Sequence, residues 1–361
     1  MIQAREKALQ LLAPALLIVL IGLLGTTVSE STRTEFTGVL VNIAIVIALY
    51  VFIGNSGVIS FGQIAFVAIG AFAAGVMTIS AEIKPTLLPE LFPFIADHSI
   101  SSFESLLLAA ALGALVAFVA GIALMRLNGL AAGIATFAVL EIVHNILRFW
   151  EKIGPGAKSL ALIPETTGLL EATLGALFCA VIAFLYQHSR SGRLLRAARE
   201  DDPAARSIGV NIHLHRLIAF SLSGALAGLA GGLLVHQIGS ITTEQVYLQL
   251  TFITLAMLVV GGMGSLWGAV VGGALVSFLN VYLLKLEAGN AVGPLHLDLP
   301  NGSTLLIIGA VMAAIVILRP SGLTGGREIS PGRWLASRRR GAPSAPSAPP
   351  PVADAPPPKA S

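Results

Sequence analysis

The sequence predicts an all-α protein, a polytopic bundle of about ten transmembrane helices with both termini in the cytoplasm. Its 361 residues are 55% hydrophobic and only 11% charged, a balance that soluble domains of this length do not show. Apolar runs long enough to cross a bilayer recur along most of the chain. One long polar island, residues 189–216, is rich in arginine. Because basic residues stay on the cytoplasmic side, this pattern also predicts the orientation.

The apolar runs predict the individual crossings. Eight runs are each interpreted as one span: 9–28, 37–54, 57–79, 105–125, 128–147, 169–187, 217–238 and 303–318. The stretch from Tyr247 to Lys285 is about 38 residues, or roughly 57 Å of helix, which is nearly twice the hydrocarbon thickness. Glycines interrupt it at 261–264, so it is interpreted as two spans. Glycine breaks in 57–79 and 248–285 leave re-entrant or broken helices open as alternatives.

The basic segments predict the domain organisation. The N-terminal segment 1–8, the island and the region after Arg319 are all basic and are expected in the cytoplasm. Six predicted crossings precede the island and four follow it. Both numbers are even, and an even number of crossings is needed to place all three basic segments on the same side of the membrane. We therefore expect a transmembrane domain over 9–325. The remaining segment, 326–361, is basic and then rich in proline, which predicts a disordered cytoplasmic tail.

Within the island, Asp202 followed by Pro203 predicts the start of a short helix, with a capping carboxylate and then proline at the first helical position. Gly209 predicts its end, because glycine readily adopts the left-handed conformation that closes a helix. The helix would be about two turns long and would carry Ala204 and Ala205. A short rigid helix with small side chains can fit a groove on a soluble protein, so we expect a driving partner to bind there.

Two runs of glycine at every fourth position follow the island. Residues four apart share one helix face, so each run predicts a smooth surface for close helix packing. Plain packing explains most of these glycines, and we expect them to form the tightly packed part of the bundle. The glycines are Gly224, Gly228 and Gly232 in one run and Gly264, Gly268 and Gly272 in the other.

Polar residues inside predicted spans are costly, which makes them candidates for a substrate pathway. Ser60 and Gln63 lie in a segment rich in Gly, Ser and Asn, which suits a turn or helix break that lines a cavity. For Asn55 and Ser56, in the same segment, a simple cytoplasmic turn explains the polarity.

A second candidate group lies in the fifth predicted span and comprises Thr136, Glu141, His144 and Asn145. The last three share one helix face near its outer end by their spacing of three and four. The spacing is reminiscent of metal ligands, but no second cluster accompanies it, so we do not expect a metal site. The group could line the substrate path, orient a loop or dock an external partner.

Several function classes are disfavoured by the sequence. It contains no Walker A pattern, so we expect no nucleotide or other cofactor to be bound by this chain. Cys179, the single cysteine, lies in an apolar run and is interpreted as a packing residue. No basic patch alternates with aromatic residues, so nucleic acid is not an expected partner. The apolar composition instead predicts membrane lipid around the chain.

Four ordered motifs resemble one family of transport proteins. They are SGVISFGQIAFVAIGAFAAG at 56–75, LNGLAAGIATFAVLEI at 127–142, SGRLLRAAREDDPAARSIGVN at 191–211 with FSLSGALAGLAGGLL at 220–234, and VVGGMGSLWGAVVGGAL at 259–275 with ILRPSGLTG at 317–325. Together they resemble the LivM-type permease subunits of branched-chain amino-acid ABC transporters. The segment 153–162, IGPGAKSLAL, departs from the family's usual pattern.

The resemblance implies an ABC importer permease in a bacterial plasma (inner) membrane. It implies four partners: a LivH-type second permease, two ATP-binding subunits that use ATP, and an extracytoplasmic solute-binding protein. The solutes would be branched-chain or other hydrophobic amino acids. A urea or short-amide permease is the nearest alternative, and a stand-alone secondary transporter is a further one. The residues expected to couple the chain to the ATP-binding subunits are Glu200, Asp201, Asp202, Ala204, Ala205 and Gly209.

Overall fold

A computed structural model describes residues 2–289, 300, 302–326 and 328, and this part of the chain is helical throughout its regular structure. The helices are α1 Ile2–Thr26, α2 Glu30–Ser56, α3 Gln63–Thr78, α4 Lys84–Leu87, α5 Pro93–Ala96, α6 Ser102–Leu124, α7 Gly129–Phe149, α8 Leu169–His188, α9 Arg190–Glu200, α10 Asp202–Ser207, α11 Ile212–Ile238, α12 Leu248–Gly261, α13 Leu266–Glu287 and α14 Ser303–Leu318. The expected tail, 326–361, lies outside the described residues apart from Gly326 and Glu328.

Each predicted apolar run coincides with a helix, although some helices are longer and some shorter than the run. Six of them, α2, α6, α7, α8, α11 and α13, are long and apolar enough to cross a membrane. The predicted break at 261–264 is confirmed, because α12 ends at Gly261 and α13 begins at Leu266. With 14 residues, α12 is roughly 21 Å long, shorter than the hydrocarbon layer. The described residues therefore form a polytopic helical bundle with six evident candidate spans.

The third predicted span begins later than expected. Gly57, with a φ of 72°, closes α2 in the left-handed conformation, and α3 starts only at Gln63. Residues between them run as a turn against α7, where a Cβ on Gly62 would lie 2.5 Å from the carbonyl oxygen of Thr136. With 16 residues, α3 is roughly 24 Å long.

The core forms around α2 and α11, and the glycines of α11 explain why helices approach it so closely. A Cβ on Gly228 would lie 2.2 Å from the carbonyl oxygen of Ala109 in α6, and one on Gly231 would lie 2.1 Å from that of Val67 in α3. Gly224 similarly faces Ala117 of α6. Small residues thus let α11 touch two neighbours backbone to backbone, as expected for this run.

The second glycine run differs from the prediction. Gly264 lies in the turn before α13 rather than on a helix face, so it cannot extend a helical stripe. Gly268 and Gly272 do lie on α13 and pack against Gly261, since a Cβ on Gly272 would lie 2.6 Å from the Gly261 nitrogen. The close packing here joins α12 to α13 as a hairpin.

The bundle has two polar ends. We call one the α10 face; it contains the end of α2, the start of α7, helices α9 and α10, and the α12–α13 turn. We call the other the loop face; it contains 79–101, 150–168 and 239–247. An isolated antiparallel bridge between Leu160 and Ile241 ties two of these loops together. Consecutive long helices therefore alternate in direction between the faces.

Candidate functional sites

On the α10 face, the predicted short helix exists, but its cap is shifted by one residue. The Asp201 carboxylate, not that of Asp202, accepts from the Ala204 backbone N–H at 2.9 Å. Asp202 is instead the first helical residue, and its carboxylate pairs with the guanidinium groups of Arg206 and Arg216. The hydrogen bond from Arg206 holds the pKa of Asp202 below its ordinary value.

The end of α10 agrees with the sequence. Gly209 has a φ of 82°, and no atom lies within 4 Å of the position a Cβ would occupy, so backbone conformation alone favours glycine there. Ala205 is buried in a small apolar cluster with Ala198 and Ile212. Because the cluster joins α10 to α9 and α11, the short helix is fixed to both neighbours.

The outward surface of α10 contains small residues and one large apolar side chain. Glu200 and Ala204 are exposed. Ile208 is 78% exposed at the end of the helix, although the sequence analysis did not select it. An isoleucine inside an arginine-rich island is the signal that could have identified it.

The anchoring of α9 involves residues that sequence reasoning missed. The Arg196 guanidinium donates to the Asn55 side-chain oxygen at 2.7 Å and to the Gln187 side-chain oxygen at 3.0 Å, and it also contacts the Tyr50 hydroxyl. Arg199 donates to the Gly54 carbonyl at 2.6 Å. Asn55 is thus not a simple turn residue, since it is fully buried in the last turn of α2.

A cavity of about 930 Å³ opens beside α10. Its walls combine apolar side chains with polar groups, among them Ser56, Arg199, Asp202 and Arg216. The Arg216 guanidinium also bonds to the Asn128 side chain and to the Leu127 carbonyl, which ties the start of α7 to α11. Movement of α10 would therefore change the shape of this cavity.

The predicted pathway residues nearest this cavity are buried. Ser60 accepts from the Gly62 backbone N–H at 3.4 Å, and the Thr136 hydroxyl accepts from the Phe61 N–H at 3.2 Å. Both side chains therefore stabilise the turn before α3. Gln63 differs, because its buried amide nitrogen and oxygen have no hydrogen-bond partner in the described structure. Gln63 therefore retains both polar groups of its side-chain amide for another contact.

On the loop face, Glu141 and its neighbours form a second site. Its carboxylate accepts from the Asn145 amide at 2.8 Å and from the Tyr247 hydroxyl. The His144 ring stacks on the Tyr247 ring with centroids 3.8 Å apart. The bond to Glu141 is the main cause that raises the pKa of Tyr247 to about 12. The three predicted residues are therefore brought together, and Tyr247 joins them.

An ion pair extends this second site to the rim. Arg148 donates to the Glu244 carboxylate at 2.9 Å, and the same carboxylate oxygen lies 3.7 Å from Nε2 of His144. His144 is buried, and its Nδ1 has no hydrogen-bond partner in the described structure. We call Glu141, His144, Asn145, Arg148, Glu244 and Tyr247 the outer polar cluster.

Comparison with known families identifies the class of protein. The profile of the family described as "Branched-chain amino acid transport system / permease component" matches residues 36–316. The chain belongs to this family. The match runs from α2 into α14 and so includes α9, α10 and the outer polar cluster. The protein is therefore a membrane transport permease component rather than an enzyme.

Individual relatives agree with the LivM-type resemblance. The chain is 26% identical over 331 residues to the high-affinity branched-chain amino acid transport system permease protein LivM of Escherichia coli K12, covering 82% of the chain and 70% of that protein. It is 30% identical over 151 residues to the probable branched-chain amino acid transport permease protein LivH of Methanocaldococcus jannaschii, covering 41% and 45%.

The similarity extends beyond amino-acid systems. The autoinducer 2 import system permease protein LsrC of Enterobacter sp. strain 638 is 29% identical over 226 residues, covering 59% of the chain and 62% of LsrC. No solved structure matches the chain. The family is thus established, while the solute is a separate question.

Proposed function

We propose that this permease component belongs to an ABC importer and passes branched-chain or other hydrophobic amino acids inward, driven by separate ATP-binding subunits. The match over residues 36–316 carries the proposal. The LivM relatives support the solute class through their names. The nearest alternative, a urea or short-amide permease, would use the same architecture. The similarity to LsrC shows that permeases related to this chain are not restricted to amino-acid systems.

The α10 face is the side we assign to the cytoplasm, where the ATP-binding subunits would bind. Basic residues of α9 and α10 support this orientation through the positive-inside rule. The exposed Ile208 beside small residues suits insertion into a groove. Because Ala205 packs on Ala198 and Ile212, displacement of α10 would move α9 and α11 together. Glu200, Asp201 and Asp202 would orient the short helix or contact the partner.

The loop face would then be extracytoplasmic and would receive a solute-binding protein. A second, LivH-type permease would complete the membrane pair, and lipid would surround it in the inner membrane. The exposed apolar side chains of α7, such as Leu130 and Ile134, suit contact with a second helical subunit or with lipid. In this arrangement Ser60, Gln63, Thr136 and the outer polar cluster lie beside the solute route or at its entrance.

The first experiment is uptake of radiolabelled leucine, with urea as a parallel solute, in cells with and without this chain. We expect ATP-dependent leucine uptake to be lost without it and urea uptake to be unaffected. Intact leucine uptake with lost urea uptake would assign the solute to the urea alternative. Uptake that continues after removal of the ATP-binding partners would instead indicate a stand-alone secondary transporter.

A pair of substitutions at Gly209 tests the role of α10. We expect Gly209→Val to abolish coupled uptake, because a β-branched residue is strained at a φ of 82°. Gly209→Asn is the matched control, since asparagine tolerates that conformation and the position is open. Ala205→Trp should uncouple transport in the same way by disrupting the apolar cluster. Unchanged uptake in Gly209→Val and Ala205→Trp, at normal membrane levels, would contradict the assignment.

A further inference from the structure

The segment after α14 folds back on the turn between α12 and α13. The Thr324 hydroxyl donates to the Gly261 carbonyl at 2.8 Å, and the Thr324 backbone N–H donates to the same oxygen at 3.2 Å. Gly322 has a φ of 74°, and a Cβ there would lie 2.6 Å from the backbone of Gly262. The two segments therefore touch backbone to backbone.

This fold-back brings Glu328 to the first turn of α13. Its carboxylate accepts from the Leu266 backbone N–H at 2.7 Å and from the Trp267 N–H at 3.4 Å. The Ser265 hydroxyl accepts from the next amide, that of Gly268, at 2.9 Å. These amides have no acceptor within their own helix, and a negative charge is favourable at a helix N-terminus. Glu328 thus binds α13 through a charge that the helix start stabilises.

The same carboxylate also interacts with the anchor of α9. It lies beside the Tyr50 hydroxyl and within electrostatic range of the Arg196 guanidinium, the group that binds Asn55 and Gln187. Burial raises the pKa of Glu328, while its hydrogen bonds and Arg196 favour the charged form. One acidic residue thus contacts elements that are separate in sequence.

A backbone contact also joins the end of α2 to the α12–α13 turn, beside helix α9. A Cβ on Gly54, in the last turn of α2, would lie 2.8 Å from the Met263 carbonyl in the α12–α13 turn. The Gly54 carbonyl itself accepts from Arg199 of α9. The end of α2, helix α9 and the α12–α13 turn therefore meet at one junction, with Glu328 on its α13 side.

We propose that Glu328 is a positioning residue that ties the α9–α10 unit to the α12–α13 hairpin, so that displacement of α10 also moves the hairpin. The inference rests on the proposed function, because it concerns how a partner-driven movement reaches the bundle. Glu328 contacts no solute in this scheme. It acts through Arg196 and the start of α13.

The test uses the complete complex with its ATP-binding and solute-binding partners in liposomes. We expect Glu328→Gln to reduce leucine uptake per ATP hydrolysed by about tenfold, since a charge-assisted tie becomes a neutral one. Glu328→Asp, which keeps the charge, should retain more coupling than Glu328→Gln. Glu30→Gln, at an exposed carboxylate in the first turn of α2, is the matched control and should behave like the wild type.

Hydrogen–deuterium exchange distinguishes a link between the α9–α10 unit and the α12–α13 hairpin from a local cap on α13. In Glu328→Gln we expect faster exchange in peptides covering both 262–270 and 190–207. Faster exchange confined to 262–270 would reduce Glu328 to a cap and overturn the inference, as would unchanged exchange in both. Faster exchange in both peptide regions of Glu328→Gln, together with normal leucine uptake per ATP hydrolysed, would overturn the coupling role. A wild-type complex without ATP-driven uptake would refute the proposed function, while the exchange data would still test the tie.

Discussion

Helices α11 and α7 both pack against α3, yet they are held in different ways. Along α11, backbones touch so closely that Gly228 and Gly231 leave no space for a Cβ. Along α7, a Cβ on Gly133 would lie 3.6 Å from its nearest neighbour, an ordinary contact distance. Helix α7 approaches its neighbour this closely at Thr136, whose carbonyl oxygen would lie 2.5 Å from a Cβ on Gly62. Elsewhere it is attached through side-chain hydrogen bonds.

The difference indicates which helix can move during transport. Backbone contacts that exclude a Cβ cannot shift without a clash, because the packed state has no spare volume. Side-chain hydrogen bonds can break and form again at modest net cost, about 1 kcal/mol each. We therefore expect α11 to behave as a rigid part of the core, and the ends of α7 to change position in the cycle about its close contact at Thr136.

The largest expected effect tests the rigid half of this comparison. Gly228→Ala places a Cβ about 2.2 Å from the Ala109 carbonyl, and overpacking of this kind costs about 3 kcal/mol. We expect a lower midpoint of thermal unfolding for the detergent-purified protein. Gly133→Ala is the control, where alanine should be neutral or slightly stabilising because it favours helix. Equal midpoints for the two variants would contradict the contrast.

The next effect concerns the outer attachment of α7. We expect Glu141→Ala to reduce uptake several-fold while the complex with the ATP-binding subunits still assembles, because Tyr247 and Asn145 lose their shared acceptor. Transport kinetics and co-purification measure the two properties. Glu151→Ala, an exposed carboxylate on the same face, is the comparison variant. Normal kinetics for Glu141→Ala would assign this residue to packing.

A smaller effect is expected in the middle of α7. Thr136→Val keeps the side-chain shape but removes the acceptor for the Phe61 N–H, at a cost of about 1–2 kcal/mol. Thr136→Ser retains the hydroxyl and should restore most of the stability. Thermal unfolding of both variants checks this, and a valine variant as stable as wild type would show that the turn before α3 does not depend on this bond.

The smallest expected effect is at Asp202, whose pairing with Arg206 is on the surface. Because its folded pKa lies below the unfolded value, the pairing stabilises the protein above the unfolded pKa and is lost as the pH falls through the folded value. Uptake between about pH 5 and pH 8 should therefore be independent of this group. Arg206→Gln should change uptake by less than twofold. A pH profile of that variant that diverges from wild type near neutrality would contradict this.

Local patterns in the sequence predicted much of the fold and part of the site. The positions of the long helices follow from apolar runs, and the stop at Gly209 follows from glycine chemistry. The cap was misplaced by one residue, because Asp201 and Asp202 are equally able to cap and only their pairing separates them. Gly264 was placed on a helix face because a spacing of four does not reveal where a helix begins.

The sequence by itself determined the membrane class, the approximate helices, the exposed short helix and the family, because hydrophobicity, caps and motifs act over neighbouring residues. The tertiary structure decided the partners of distant polar groups. Arg196 meets Tyr50 across 146 positions, and Glu141 meets Tyr247 across 106. Such contacts arise only when packed helices align two side chains at the same depth. A linear pattern contains no measure of that depth, and for this reason the junction at Glu328 became visible only in the folded chain.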